Sequence, residues 1–238
     1  MSTLSLSLIS SATAQETRFK ALAGAFCEMT QSIGIQLEPY SDGSLSKFRS
    51  LPPEIQTQKL AAFETYFRCC ERAVRSGIGL SDGISLLKAI LKDLGLHINE
   101  DTASLLTNAE VIEVYRNDLT QLFRNLRFLE ICSYPLMDLY VHEISELYRR
   151  PHVLTDATIR EFTQVLTSTD RKPLFCDVPD HFLEEIFSPG KHKFYIRHKL
   201  IAPVMNEKGE VVAAVSSLWA NLLLPGETGL SNVKPLSP

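Results

Sequence analysis

The chain is predicted to be an α+β protein, with a helical N-terminal half packed with or leading into an antiparallel sheet that has flanking helices. Three observations carry this. Apolar residues recur at intervals of three and four through residues 16–33 and 53–77. Two runs rich in β-branched and aromatic residues, 194–204 and 211–219, flank the turn M-N-E-K-G-E. With 238 residues, 45% hydrophobic and 22% charged, the chain can bury a real core as one large domain or two small ones.

Taken in order, residues 1–15 read as a mobile leader. Ala12-Thr13-Ala14 fits a small-residue cleavage site, but no basic residues precede the short, serine-interrupted apolar stretch, which argues against a secretory signal. Residues 16–108 read as a helical region. A first helix carries Phe19, Leu22, Phe26 and Ile33 and stops at Gly34. A second starts at Pro53, where proline suits the first turn, and ends at Gly77. A third runs from Gly83 to the Gly95 stop, capped by Ser81 or Asp82. A helix-turn-helix reading of this region is not favoured, because residues 101–106 present acids and no cluster suited to base edges.

Residues 109–150 read as long amphipathic helices. Ile112, Tyr115, Leu119, Leu122, Leu126 and Leu129 follow one another at three and four, an a/d seam of nearly three heptads. Such a helix is either the buried spine of a bundle or one half of a homodimeric coiled coil. Beyond Pro135, Leu139, Tyr140, Ile144 and Leu147 continue the stripe. Residues 151–225 then form an α/β unit. Thr155 or Asp156 caps a short helix, residues 174–178 are extended, and Pro179 introduces a helical piece over 181–187. In the first hairpin strand Phe194, Ile196, His198, Leu200, Ala202 and Val204 share one, mostly apolar, face. Residues 226–238 read as a tail.

Charge and cysteine content narrow the function classes. A net charge of −4 gives no broad footprint for nucleic acid or an anionic membrane, and no apolar run approaches a membrane span. Five cysteines, an odd number without metal spacing, point to buried thiols in a reducing compartment, hence a cytoplasmic location. The sequence carries no nucleophile elbow, phosphate-cradling glycine loop or H-E-x-x-H, so a non-catalytic protein is expected.

The runs T-D-R-K-P-L-F-C-D-V and I-R-H-K-L-I-A-P-V-M-N-E-K-G-E-V-V-A-A-V, within residues 169–218, resemble the second half of a GAF domain and, more loosely, the last strands of PAS domains. His198 stands where that pattern usually has serine. The resemblance implies a sensory or regulatory module that binds a small molecule or dimerises, coupled through a helix to an output. Candidate ligand contacts are Cys176, Asp177 and His181 in the connections, and Tyr195, Arg197 and His198 on the strand. His198 on the apolar alternation is either a neutral core histidine or a ligand contact. Haem or another chromophore is not favoured and the cofactor is left unknown. A small-molecule ligand and a protein partner or second copy are the expected partners. The alternative function is a helical adaptor that binds a protein and fills its cavity with side chains.

Overall fold

A computed structural model describes residues 3–118 and 120–223. Local chemistry sets the helix ends in the N-terminal half. Helix α1 spans Thr3–Gln31. Helix α2, Asp42–Ser50, starts at a capping box in which Ser41 Oγ accepts from Ser44 N (3.0 Å) and Ser44 Oγ accepts from Ser41 N (2.8 Å). Helix α3, Pro53–Arg75, begins with proline, and α4, Gly83–Asp93, is capped by Asp82, whose carboxylate accepts from Ser85 N. These helices share an aromatic core: the Phe19 ring lies 5.2 Å from that of Phe48 and 5.4 Å from that of Phe63, and Phe63 lies 4.6 Å from Tyr140 further along the chain.

The remaining elements are β1 (Leu96–His97), α5 (Glu100–Leu105), β2 (Val111–Arg116), β3 (Gln121–Arg124), α6 (Leu126–Ile131), α7 (Asp138–Val141), α8 (Ile144–Leu147), β4 (Tyr148–Arg149), α9 (His152–Thr167), β5 (Leu174–Phe175), β6 (His181–Glu185), β7 (Lys193–Asn206) and β8 (Val211–Leu222). Among the described residues they build one antiparallel sheet in the order β3-β2-β8-β7-β6-β4, with β1 and β5 also pairing with β7. The β7–β8 hairpin is its backbone, paired from Phe194↔Leu222 to Met205↔Val211. Its turn closes through Asn206 N to Glu210 O (3.0 Å), with Gly209 at φ +75°, a conformation that favours glycine.

Several sequence expectations are corrected. The heptad seam does not form a helix: Ile112 and Tyr115 lie in β2, Leu122 in β3, Leu126 and Leu129 in α6, and Leu119 lies outside the described residues. V-I-E-V-Y is β-branched and alternates with period two, and a turn closed by Arg116 N to Thr120 O (2.9 Å) then breaks the run. Intervals of three and four arise there because the turn shifts the phase between two short strands. The coiled-coil contact therefore goes. The sheet also draws on residues ahead of 151, so the α/β unit does not begin there. The stripe through 139–147 is divided into two single-turn helices, α7 and α8.

Residues 181–185 are strand rather than helix, because the exposed side of β7 offers a ladder from His181↔Ile196 to Glu184↔Lys193. The leader is replaced by the first turns of α1, in which no glycine or proline interrupts residues 3–15. The predicted tail from 226 lies outside the described residues. Finally, a bulge between His198 and Leu200 reverses the alternation of β7. Phe194, Ile196 and His198 share a face with Ile201, while Leu200, Ala202 and Val204 turn to the other side.

The two faces consequently differ. Ile112, Val114, Leu200, Ala202, Val204, Ala213 and Val215 are fully buried in one continuous core with Leu86, Leu87 and Ile90 of α4. The opposite face carries Val111, Glu113 and Tyr115 of β2, Ser216, Leu218 and Ala220 of β8, and Phe194, Ile196 and His198 of β7. Helix α9 packs on the Ile201 end of this face through Val165, Phe162 and Leu166.

Candidate functional site

The second face forms the floor of a cavity of about 480 Å³. Its walls are the N-terminal half of α3 (Ile55, Gln58, Ala62), the short helices α6 to α8 (Phe128, Leu139, Tyr140, Leu147) and α9 (Thr155, Thr158, Ile159, Phe162). The floor extends across β6 through His181 and Leu183. The volume lies within the range of small-molecule sites, and the walls are mainly apolar and aromatic with a few polar groups among them.

Two polar clusters stand out, and they differ in how their charges are balanced. In the first, Arg124 Nε donates to Glu113 Oε1 at 2.6 Å and its Nη2 reaches Tyr115 Oη at 3.3 Å, while the guanidinium sits 4.1 Å above the Phe128 ring. Burial works against the charge on Arg124, but the Glu113 carboxylate and the neighbouring tyrosines outweigh it and hold the group protonated. Turning the Gln121 amide so that its oxygen faces Arg124 satisfies that oxygen as well.

The second cluster is Arg150, His181 and His198. Arg150 Nε donates to Thr155 Oγ1 at 2.8 Å, and among the described residues no carboxylate pairs with this guanidinium. Burial lowers its pKa, with Glu113 and Tyr115 acting in the opposite direction without outweighing it. The His181 and His198 rings stack with centroids 5.6 Å apart and planes at 21°. His181 Nδ1 lies 2.9 Å from Pro179 O, which can only accept, so that nitrogen carries the proton. The Nε2 atoms of both rings are buried without a hydrogen-bond partner. Burial, with the Arg150 charge adding to it, pushes His198 down to about 4; burial likewise lowers His181. Both imidazoles are therefore neutral at pH 7.

Of the residues singled out in the sequence, His181 and His198 come together at the cavity, and the other four lie elsewhere. Tyr195 and Arg197 sit on the opposite side of β7, where Asp180 Oδ2 accepts from Tyr195 Oη (2.5 Å) and from Arg197 Nε (2.9 Å) and Nη2 (2.7 Å). Cys176 packs against the Val165, Ile201 and Ala214 cluster beneath α9, and burial together with Glu161 raises its pKa. Asp177 is exposed, its backbone N–H given to Glu161 Oε1 (3.0 Å). Glu113, Arg124 and Arg150 join the site without having been singled out in the sequence, and Tyr115, expected in a dimer seam, lines the cavity instead. The alternation of V-I-E-V-Y-R holds the signal for β2.

Among the described residues no group of three or more His, Cys, Asp or Glu side chains is placed to hold a metal ion, and no helix is long and apolar enough to cross a membrane. No family model matches the chain, and no curated protein matches it. Solved structures similar to it include a domain described as part of a light- and redox-sensing histidine kinase from Haloarcula marismortui, at 13% identity and TM-score 0.31, covering 47% of this chain and 88% of that one. A sensory box histidine kinase from Vibrio cholerae matches at 14% identity and TM-score 0.32, covering 52% and 89%. An RNA-binding Light-Oxygen-Voltage receptor matches at 13% and TM-score 0.31, covering 83% and 61%. Similarity at this level leaves the functional reading to the cavity itself. What the fold and site define is an α+β protein whose antiparallel sheet floors a small-molecule-sized cavity.

Proposed function

We propose that this chain is a non-catalytic, GAF/PAS-like sensory module that takes a small molecule into the cavity between its sheet and helices α6 to α9. One observation carries the reading: a cleft of about 480 Å³ stays open between the sheet and the helices, where an adaptor that had lost its ligand would fill the space with side chains. Helix α9 lines the cavity on one side and packs on β7 and β8 through Val165 and Phe162, so an occupant that shifts α9 has a direct route to the rest of the sheet.

The test uses Ser216, a 4% exposed residue on the cavity floor with no side-chain hydrogen-bond partner among the described residues. Native mass spectrometry and an absorbance spectrum of protein purified from its own source are expected to show a retained small molecule. Ser216→Leu is expected to lose that molecule while remaining folded by circular dichroism. A mass equal to the bare chain, together with no thermal shift from any compound in a broad metabolite screen, overturns the reading in favour of the adaptor.

A further inference from the structure

Three cationic side chains, Lys59, Arg124 and Arg150, line the cavity, and among the described residues Arg150 is the one without a carboxylate in direct contact. Arg124 is matched by Glu113. Lys59 pairs with Glu143 (3.3 Å), and His142 lies between Asp138 (3.5 Å) and Glu146 (3.2 Å). Arg150 has only the Thr155 hydroxyl, which takes Nε and leaves both Nη groups without a carboxylate among the described residues. Its charge bears on His181 and His198, which are neutral and supply no compensating anion. A guanidinium partly withdrawn from water, with only the through-space attraction of Glu113 to offset its burial, is left short of a contact anion, and its planar fork matches a carboxylate through two parallel hydrogen bonds.

Building on the sensory reading above, we propose that the cavity takes an organic monoanion, a carboxylic acid with an apolar body, whose carboxylate pairs with Arg150. The apolar body has Phe128, Leu139, Ile159, Phe162, Leu183 and Phe194 to pack against. A singly charged head fits better than a phosphate dianion. Only one guanidinium is unmatched, and Glu113 and Asp118 line the same space and repel additional negative charge. The two imidazoles register the event, since a carboxylate beside Arg150 cancels the positive field that now disfavours their protonation.

Isothermal titration calorimetry with octanoate and 4-phenylbutyrate, each beside its primary amide, tests this on the full chain. In the wild-type protein the acids are expected to bind about ten- to a hundredfold more tightly than the amides, the range set by one charge-assisted pairing. Arg150→Gln is expected to bring acid affinity down to that of the amide and leave the amide unchanged; Arg150→Lys, which keeps the charge and loses the fork, should fall between. The His181 and His198 ring protons should titrate at higher pH with the acid bound than with its amide bound, since both bury the rings alike and only the acid offsets Arg150. Amides that bind as well as acids to the wild type, or an Arg150→Gln protein that is folded and keeps its acid affinity, overturn the carboxylate assignment and leave the sensory reading standing. Binding of none of the four probes also overturns it, and the retained molecule in the preceding test then decides the sensory reading separately.

Discussion

Glu113 and Arg124 stand opposite each other in the β2–β3 ladder, and their side chains, 13% and 10% exposed, form an ion pair at 2.6 Å that roofs neither β strand but faces the cavity. Removing one member of such a pair strands the other charge in a poorly hydrated site. Glu113→Gln is therefore expected to lower stability by about 3 kcal/mol, whereas the double change Glu113→Leu with Arg124→Leu should cost less than Glu113→Gln alone. Urea midpoints read both. An unchanged midpoint for Glu113→Gln would mean that water reaches Arg124 freely.

The stacked histidines make stability depend on pH in a defined window. His198 titrates near 4 in the folded protein against an ordinary value of 6.5, so between those limits the unfolded chain binds more protons. Stability is fully present above about pH 6.5 and falls as the pH drops toward 4, by up to about 3 kcal/mol for this one group. His181 shifts in the same direction, while Asp180 opposes both shifts. Glu16 and Glu146, both near 2 when folded, contribute their loss only below their ordinary value of 4.5. The slope between pH 6.5 and 4.5 should thus flatten in His198→Gln. Chemical denaturation at several pH values measures it, and an equal slope in the variant removes His198 as the cause.

Where local chemistry decided the structure, the sequence could be read. Pro53, Asp82 and Gly95 punctuate helices through their own backbone and side-chain properties, and Gly209 with Asn206 fixes the hairpin. Where tertiary pairing decided it, the reading failed. Residues 111–124 carry leucines at spacings that suit a helix, and their strand state comes from Val111 to Arg116 docking on β8, an edge some hundred residues away. The same holds for His181, which becomes a strand residue by pairing with Ile196. Half the site went unseen for this reason: Glu113 and Arg124 meet only once β2 and β3 are strands. The bulge after His198 was equally illegible, since nothing in I-R-H-K-L marks Lys199 as the extra residue.

A different prediction concerns Glu185, 2% exposed at the end of β6. Its carboxylate accepts from Ser133 N (2.8 Å), Ser133 Oγ (2.5 Å), Ser188 Oγ (2.5 Å) and His192 N (2.9 Å), tying the segment after α6 to the β6–β7 connection. Every one of these partners is a donor here. In Glu185→Gln the amide nitrogen must face donors on one side, at a cost of about 2 kcal/mol. Amide exchange should accelerate first at Ser133 and His192. If it accelerates uniformly across the sheet instead, Glu185 is not a local clasp.

Lys199, the bulged residue of β7, supplies the last prediction. Its Nζ lies 2.5 Å from Glu110 Oε1 and also donates to Leu105 O, and Ser217 Oγ donates to the second Glu110 oxygen. Glu110 is fully buried and the lysine side chain 17% exposed, so the pair is screened little by solvent. The bulge lets Lys199 reach this carboxylate on one side of the strand while His198, its neighbour, stays on the cavity side. Lys199→Met should leave Glu110 charged and short of a counter-ion, costing about 3 kcal/mol. Adding Glu110→Gln should recover part of that loss, so the double-mutant cycle must show coupling. The imidazole resonances of His198 should shift in Lys199→Met and not in Glu185→Gln, because only the first change touches the anchor of the bulge. Additive costs, or an undisturbed His198 in Lys199→Met, would show that the hairpin ladder alone sets the bulge and that the ion pair merely occupies it.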